Sequence, residues 1–540
     1  MAKGKSRKAA KREDGSREEE GEMKERSKER IGNEGKEYDD GGSKPQPPVA
    51  RKQQRSTRNV RGRGREGGGR GRMPVHYVVL PALLFGGVAI VVYFGEMWWA
   101  GPGVNKPLPL PRAVSETWRN DSVYLTRLWG TYRSNVYFGI RPRVPRSLLA
   151  GIMWYSNDGS GRMEIRHSCQ HGDDLRQYGW IRHDGTSYGQ QRIVDHEMML
   201  ETEFLTMANT SLGETWSARI RGKPLSQRPI LTSLIVYLFN EGKGEMAYRT
   251  SGGQRSLEEV YGHTPEFRQF RLYLPRKTVA DDAHHSYLAA RVASPTHLDS
   301  FFKSVMVVEE GPRTWPPLPS LPGEITPDDG GPLKPNLVAY QVTTTVPFEL
   351  DIVMETGLFS TVMSVSGERL SSALEKKEKN FDLRFEDTFH LKEKGFNESE
   401  IDCARAAFSN LIGGISYFFG QSKVISRDLD EPVDYWPAEL YTGVPSRSFF
   451  PRGFLWDEGF HQLLVAHWDT SITKDVLAHW LDLINSEGWI PREQILGHEA
   501  RSKVPPEFIV QHNENANPPT FFLTMETLLS RMESEGRVDM

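Results

Sequence analysis

Pro445-Ser-Arg-Ser-Phe-Phe-Pro-Arg-Gly-Phe-Leu-Trp-Asp457-Glu458-Gly-Phe-His461 crowds five aromatic rings, two arginines and two adjacent carboxylates into one short run. Pro445, Pro451 and Gly453 mark a loop that feeds a helix opening near Trp456 and running to about Trp468. A second group follows in Gly488-Trp489-Ile-Pro-Arg492-Glu493-Gln494, with Glu499 and Asn517-Pro-Pro beyond it. Sugars are held by aromatic faces together with charged groups that fork onto hydroxyls. Phe454, Trp456 and Trp489 suit the first task; Arg452, Glu458, Arg492 and Glu493 suit the second. Cleaving a glycosidic bond also needs a carboxyl group that its surroundings keep protonated, so that it can protonate the departing oxygen. Asp457, beside Trp456, is the candidate. The same residues fit a plainer account, in which Asp457 caps the helix, Trp456 is core and His461 is a satisfied surface or interface histidine. Composition does not choose between the two.

Outward from this run the chain changes texture once. From about Leu149 to Glu355 it consists of short β-rich runs: Leu149 to Trp154, Trp216 to Ile220, Leu234 to Phe239, Phe267 to Leu274, and the alternating Tyr340, Val342, Thr344 and Val346. Runs of this kind, spaced by Gly, Pro and Asn, predict an antiparallel sandwich. The Pro-rich stretches Thr314 to Gly323 and Asp328 to Pro335 read as loops within it. After about Gly367 the period turns helical, with one stripe in Ala404, Ala407, Phe408, Leu411, Ile415 and Phe418 and another in Val476, Leu477, Trp480, Leu481 and Ile484. The expected class is α+β multidomain.

The N-terminal side is of another kind. Residues 1–72 mix Lys/Arg with Glu and then become Arg/Gly-rich, a composition that cannot bury enough apolar surface to offset ordering entropy. They are expected to be a disordered cytosolic tail, in which Arg61, Arg63 and Arg65 could meet RNA or anionic lipid, serve as a retrieval signal, or only set topology. The run Val75 to Ala100 is apolar and long enough to cross a bilayer. Arg61 to Arg72 precede it and Glu96, Trp98 and Trp99 close it, so residues 73–100 are expected to be a signal-anchor with the N-terminus in the cytosol. Asn120, Asn209 and Asn397 open glycosylation tripeptides on the far side, although Asn397 also suits the N-cap of a helix with Glu400 three residues on. Cys169 and Cys403 are too few for a disulfide framework and too far apart for a zinc pair; they could pair in an oxidising lumen or stay free. The net charge of -3 gives the folded part no bulk attraction for nucleic acid. There is no phosphate-loop or dinucleotide glycine pattern and no Gly-x-Ser-x-Gly elbow, and His498-Glu499 lacks the second histidine of a zinc protease, so the common cofactor motifs are missing.

Trp129-Gly-Thr-Tyr-Arg133 with Val136-Tyr-Phe-Gly139, His167-Ser-Cys with Gly172-Asp173, Tyr178-Gly-Trp180 with His183-Asp-Gly185, Val444 to Gln462, and Gly488 to Asn517 together resemble the animal-type processing α-glucosidases I of glycoside hydrolase family 63. The resemblance implies a β-sandwich (101–366) packed on an (α/α)6 toroid (367–540 here). It further implies an inverting exo-α-1,2-glucosidase, with neither cofactor nor metal, acting on triglucosylated N-linked glycans at the endoplasmic reticulum membrane, in a single-pass type II arrangement. Asp457 would be the general acid, with Arg452, Phe454, Trp456, Glu458, Trp489, Arg492 and Glu493 lining the glucose site. Residues 367–540 have room for roughly six helices, about half of such a ring. The family's general base, a glutamate near its C-terminal end, has no counterpart, and Glu533 to Met540 depart from the pattern. The chain is therefore expected to be a C-terminally truncated form that releases no glucose alone. The alternatives are a non-catalytic glycan-binding or regulatory protein of the same membrane and an interaction protein working through its Arg/Gly tail.

Overall fold

The computed structural model describes residues 103–114, 126–157, 163–209, 213–251, 256–275, 283–310, 315–326, 331–357 and 365–534. The tail expected over 1–72, the anchor over 73–100 and Asn120 lie outside them. Among the described residues no helix is long and apolar enough to cross a membrane.

Two large sheets fill the first half. A seven-stranded sheet is centred on Leu148–Asn157, Leu231–Asn240 and Leu337–Thr345, and an eight-stranded sheet on Met198–Asn209, Gly213–Pro224 and Phe348–Thr356. Apolar residues of both, among them Trp154, Val236 and Tyr340 from the first and Phe204, Trp216 and Ile352 from the second, close into one core. Leu337–Thr345 departs from the expected alternation, since all but its last residue are buried. The cause is a second layer. Helix α1 (Leu298–Val305) lays Leu298 and Phe302 on the outer face of this sheet against Leu149, Ile235 and Ala339. A central strand covered on both faces has no polar side to alternate with. The first Pro-rich stretch is likewise not all loop: Leu318–Ser320 and Pro322–Glu324 are short strands, the latter running parallel to Tyr287–Ala289. Proline is tolerated there because it opens an edge strand, where its missing N–H disrupts no central ladder.

The second half holds six helices among the described residues: α2 (Gly367–Phe389), α3 (Glu398–Gly413), α4 (Leu455–Trp468), α5 (Thr470–Leu481), α6 (Gly497–Arg501) and α7 (Phe521–Ser534). Small sheets interrupt them, notably Ser416–Gly420 with Ala438–Thr442 and Gly453–Phe454 with Glu493–Gln494. The first apolar stripe therefore overruns its helix: α3 stops at Gly413, and Phe418 belongs to a strand. Two glycines at 413 and 414 end the helix although the hydrophobic period continues. Ile484 similarly lies past the end of α5. At the start of α3 the Asn397 side chain accepts from the Glu400 N–H at 3.1 Å, while the Asn397 N–H donates to Glu400 Oε2 at 2.8 Å, a complete capping box. Cys169 is buried, Cys403 is exposed, and both are free thiols.

The halves are joined by buried charge. Arg143 donates two bonds to Asp475 of α5 at 2.5 and 2.9 Å, and Arg127 adds a third at 3.3 Å. Arg133 donates twice to Glu499 Oε1 of α6 at 2.8 and 2.6 Å, and Arg141 reaches the other oxygen at 3.4 Å. Burial pushes both carboxyl groups up, but the arginines outweigh it and hold each below the ordinary carboxylate range. With folded values depressed, both groups contribute stability that is present above about pH 4 and lost as pH falls below it. Asp475→Ala strands two buried guanidinium groups and should cost about 3–5 kcal/mol, read by chemical denaturation at pH 7. The deficit against the unmodified chain should shrink as the measurement is moved below about pH 4.

Candidate functional site

The run from Pro445 is fixed from both sides before it reaches α4. Arg447 turns back to the β-rich half, donating to the Val136 and Tyr137 carbonyls at 2.8 and 2.9 Å and to Gln191 Oε1 at 2.8 Å. Arg452 is buried and donates from Nε and Nη2 to Glu493 Oε2 at 3.0 and 2.8 Å, under the rings of Phe450 and Phe454. The short ladder between Gly453–Phe454 and Glu493–Gln494 sets this pair in register. The backbone then turns into α4, whose N-cap is Phe454, with no side-chain cap bond.

Asp457 is therefore not the cap: it stands in the first turn of the helix. Nor is Trp456 core, at 43% exposed. Phe449, Phe450 and Phe460 are exposed to a similar degree, 47–52%, and Trp456 meets Phe460 edge-on with ring centres 6.0 Å apart. Trp456 and Phe460 thus leave apolar faces open next to a half-buried carboxyl group. Burial raises the Asp457 carboxyl above its ordinary value and the Glu458 charge adds to this, while its own N–H and His461 act in the opposite sense. A carboxyl group in that state suits proton donation.

The remaining expected residues fall into separate surroundings. Glu458 is fully buried, with His461 Nδ1 3.1 Å from one oxygen and Gln462 Nε2 donating to the other at 2.6 Å. Glu493 faces Arg452 and also receives the short ladder from Gly453–Phe454. Arg492 offers its carbonyl to the Leu455 N–H at 2.9 Å, which ties the second motif to the start of α4. Trp489 is half-buried against the Val104, Val424 and Tyr435 cluster, with its ring perpendicular to Tyr435 at 6.5 Å. Of the sugar tripeptides, Asn397 is exposed, and Asn209 ends its strand with Thr210 and Ser211 outside the described residues. Among the described residues no group of His, Cys, Asp and Glu has the arrangement to hold a metal ion.

Sequence reading missed two features. His461 is a satisfied histidine, as the plainer account had it, but its partner Glu458 went unread; the i, i+3 spacing on a helix was the available signal. Gly443 was passed over altogether, yet a Cβ there would come within 2.9 Å of Glu458 Oε2 and 3.0 Å of His461 Nδ1. A polar cavity of about 610 Å³ lies where the two halves meet, lined by Arg141, Glu241, Phe419, Lys423, His498 and Arg501 among others, and includes no residue of the 445–461 run.

The comparisons with known proteins bear on the same segments. Residues 126–315 match the glycosyl hydrolase family 63 N-terminal domain and residues 365–539 its C-terminal domain. The second match extends through Asp539. The chain is 35% identical over 505 residues to the mannosyl-oligosaccharide glucosidase GCS1 of Arabidopsis thaliana, covering 88% of this chain and 58% of that protein. It is 34% identical to alpha-glucosidase 2 of the same plant, over 80% and 56% of the two chains. Against the mannosyl-oligosaccharide glucosidase of Saccharomyces cerevisiae the figures are 31%, 75% and 55%. The chain thus spans a little over half the length of these relatives.

Because the fold disfavours the charged form of Asp457, Asp457→Asn should raise thermal stability slightly at pH 7. The sign follows from a raised folded value: ionisation destabilises the fold above it, and the effect vanishes below the unfolded value of about 3.9. Melting curves at pH 7 and pH 3 would check this, with a gain expected only at the higher pH.

Proposed function

The chain belongs to glycosyl hydrolase family 63, and from that premise we propose that Asp457 is the general acid of an inverting exo-α-1,2-glucosidase that removes the terminal glucose from triglucosylated N-linked glycans. The observation that carries this reading is the contrast among neighbouring carboxylates. The Asp457 carboxyl is raised and follows the exposed Trp456 on α4, while Glu458, Glu493 and Glu499 are each engaged by a basic side chain. Phe454 and Trp456 would offer apolar faces to the sugar ring, with Phe450 beside them. Arg452 and Glu493 would brace this wall from behind, and Arg492 and Trp489 would extend it. We read α2 to α7 as part of an (α/α)6 toroid around the site.

Inversion needs a second carboxylate about 6.5–9.5 Å from the acid, so that a water fits between the base and the anomeric carbon. Glu458, Glu493 and Glu499 are each held by a basic side chain instead of standing free to activate a water. This favours a second reading, in which the chain holds a glycan without turning it over. One experiment divides the two. The chain is incubated with a triglucosylated glycan, released glucose is followed by proton NMR, and binding of a glucose-mimicking inhibitor is measured in parallel. On the first reading the β-anomer appears first, against the expectation that this chain releases no glucose alone, and Asp457→Asn lowers the rate by about 10²-fold or more. Binding without release selects the second reading; neither binding nor release sinks both.

We further infer a single-pass type II placement in the endoplasmic reticulum membrane, supported by the arginines before residue 73 and the apolar run to residue 100. In microsomes, added protease should trim only the N-terminal tail, and endoglycosidase H should increase gel mobility. A fully protected tail with no glycan at Asn120, Asn209 or Asn397 would rule this out.

A further inference from the structure

We propose that His461, clamped by Glu458 beneath Gly443, is a positioning residue that sets the protonation of Asp457 from one helical turn away. The proposal rests on the reading of Asp457 as the acid.

Four residues apart on α4, Asp457 and His461 share a helix face. Glu458 lies between them in sequence and points inward, wholly buried. One carboxylate oxygen lies 3.1 Å from His461 Nδ1 and the other receives the Gln462 amide at 2.6 Å, so both oxygens are occupied. A buried carboxylate bonded to one ring nitrogen fixes the imidazole's orientation and favours its cationic form. The cover over this pair is backbone at Gly443, and no larger residue fits there without displacing one partner. Burial alone would push the His461 imidazole down; the Glu458 bond and charge, with Asp457 adding, carry it above its ordinary value.

The groups facing the pair from neighbouring elements leave this arrangement undisturbed. From the α7 side come the hydroxyls of Thr520 and Thr524, which bond the Trp456 and Gly459 carbonyls, while Arg531 reaches Ala466. Glu439 on the Ala438–Thr442 strand accepts from Tyr417, Asp475 and His479 of α5 face Arg143, and Arg405 of α3 pairs with Asp402 and Asp382. The charges acting on Asp457 are therefore Glu458, which raises it, and His461, which lowers it.

The chemistry calls for such a counterweight. A general acid has to release its proton as well as hold it, and burial with an adjacent carboxylate favours only the holding. A cation one turn away stabilises the carboxylate that remains once the proton has moved to the leaving oxygen.

The test needs no turnover. In the full chain carrying carbon-13 aspartate and histidine, Asp457 is assigned from the Asp457→Asn spectrum, and both side chains are titrated by NMR. His461→Gln should raise the Asp457 midpoint by about one pH unit, a tenfold change in its protonated fraction. Gly443→Ala should lower the His461 midpoint and raise that of Asp457 together. In the unmodified chain the Asp457 signal should show a second inflection where His461 titrates. An Asp457 curve without that inflection overturns the proposal even if both variants lose their near-UV circular dichroism. Native variants with an unmoved Asp457 midpoint overturn it too. Glucose release is scored separately, so a chain that shows coupled titration and no hydrolysis counts against the glucosidase reading alone.

Discussion

Two carboxylates from the helical half, each gripped by two arginines from the β-rich half, are the constraint on which the remaining geometry depends. Arg133 and Arg143 are 2% and 1% exposed. A guanidinium group cannot leave water to that extent without an anion, and breaking such a pair is far more costly than forming it is rewarding. Asp475 and Glu499 must therefore lie where Arg143 and Arg133 require, and this fixes α5 and α6 against the sheets. Other contacts across the same boundary follow suit. The Asp184 carbonyl accepts from Trp468, the last residue of α4, and a Cβ on Gly185 would come within 2.6 Å of Ile412 and 2.8 Å of Ile472. Helix α4, and Asp457 with it, is thus held at its C-terminal end by the β-rich half and at its N-terminal end by the Arg452–Glu493 brace.

Much of this was legible in the sequence, and the gaps have physical reasons. The strands rich in Val, Ile and Tyr and the helix from Leu455 to Trp468 follow from local pattern. What period could not convey was burial by a third layer, which removed the alternation from Leu337–Thr345, or the stop imposed at Gly413 on an apolar stripe that continues. The motifs that carried the family resemblance proved to be largely interface chemistry. Arg133 meets Glu499 and Trp180 is bonded by Asn410 across the halves, while His183 meets Thr131 at 2.9 Å within the β-rich half. Nothing in the residues themselves separates an arginine that grips a sugar from one that grips a helix, because the two tasks use the same fork.

The same ambiguity applies to the site. Asp457 and Glu458 are adjacent and chemically near-identical, yet a helix sends consecutive side chains about 100° apart. One therefore faces the exposed rings and the other the interior. The sequence places both at the sugar, Asp457 as the acid and Glu458 on hydroxyls; the direction of the first turn of α4 instead buries Glu458 against His461 and Gln462. Gly443 was invisible for a related reason: its contribution is the absence of a side chain, which shows only against the atoms that fill the space.

The arginines that bind the halves together are made long before their partners. Arg143 precedes Asp475 by 332 residues and Arg133 precedes Glu499 by 366. At about 5–20 residues per second, synthesis leaves them without those carboxylates for roughly 15–75 s. During that interval the sheets can form their own core, but the surface bearing Arg127, Arg133, Arg141 and Arg143 has to stay hydrated. Until the helices arrive, these four arginines lack the two carboxylates that let them leave water.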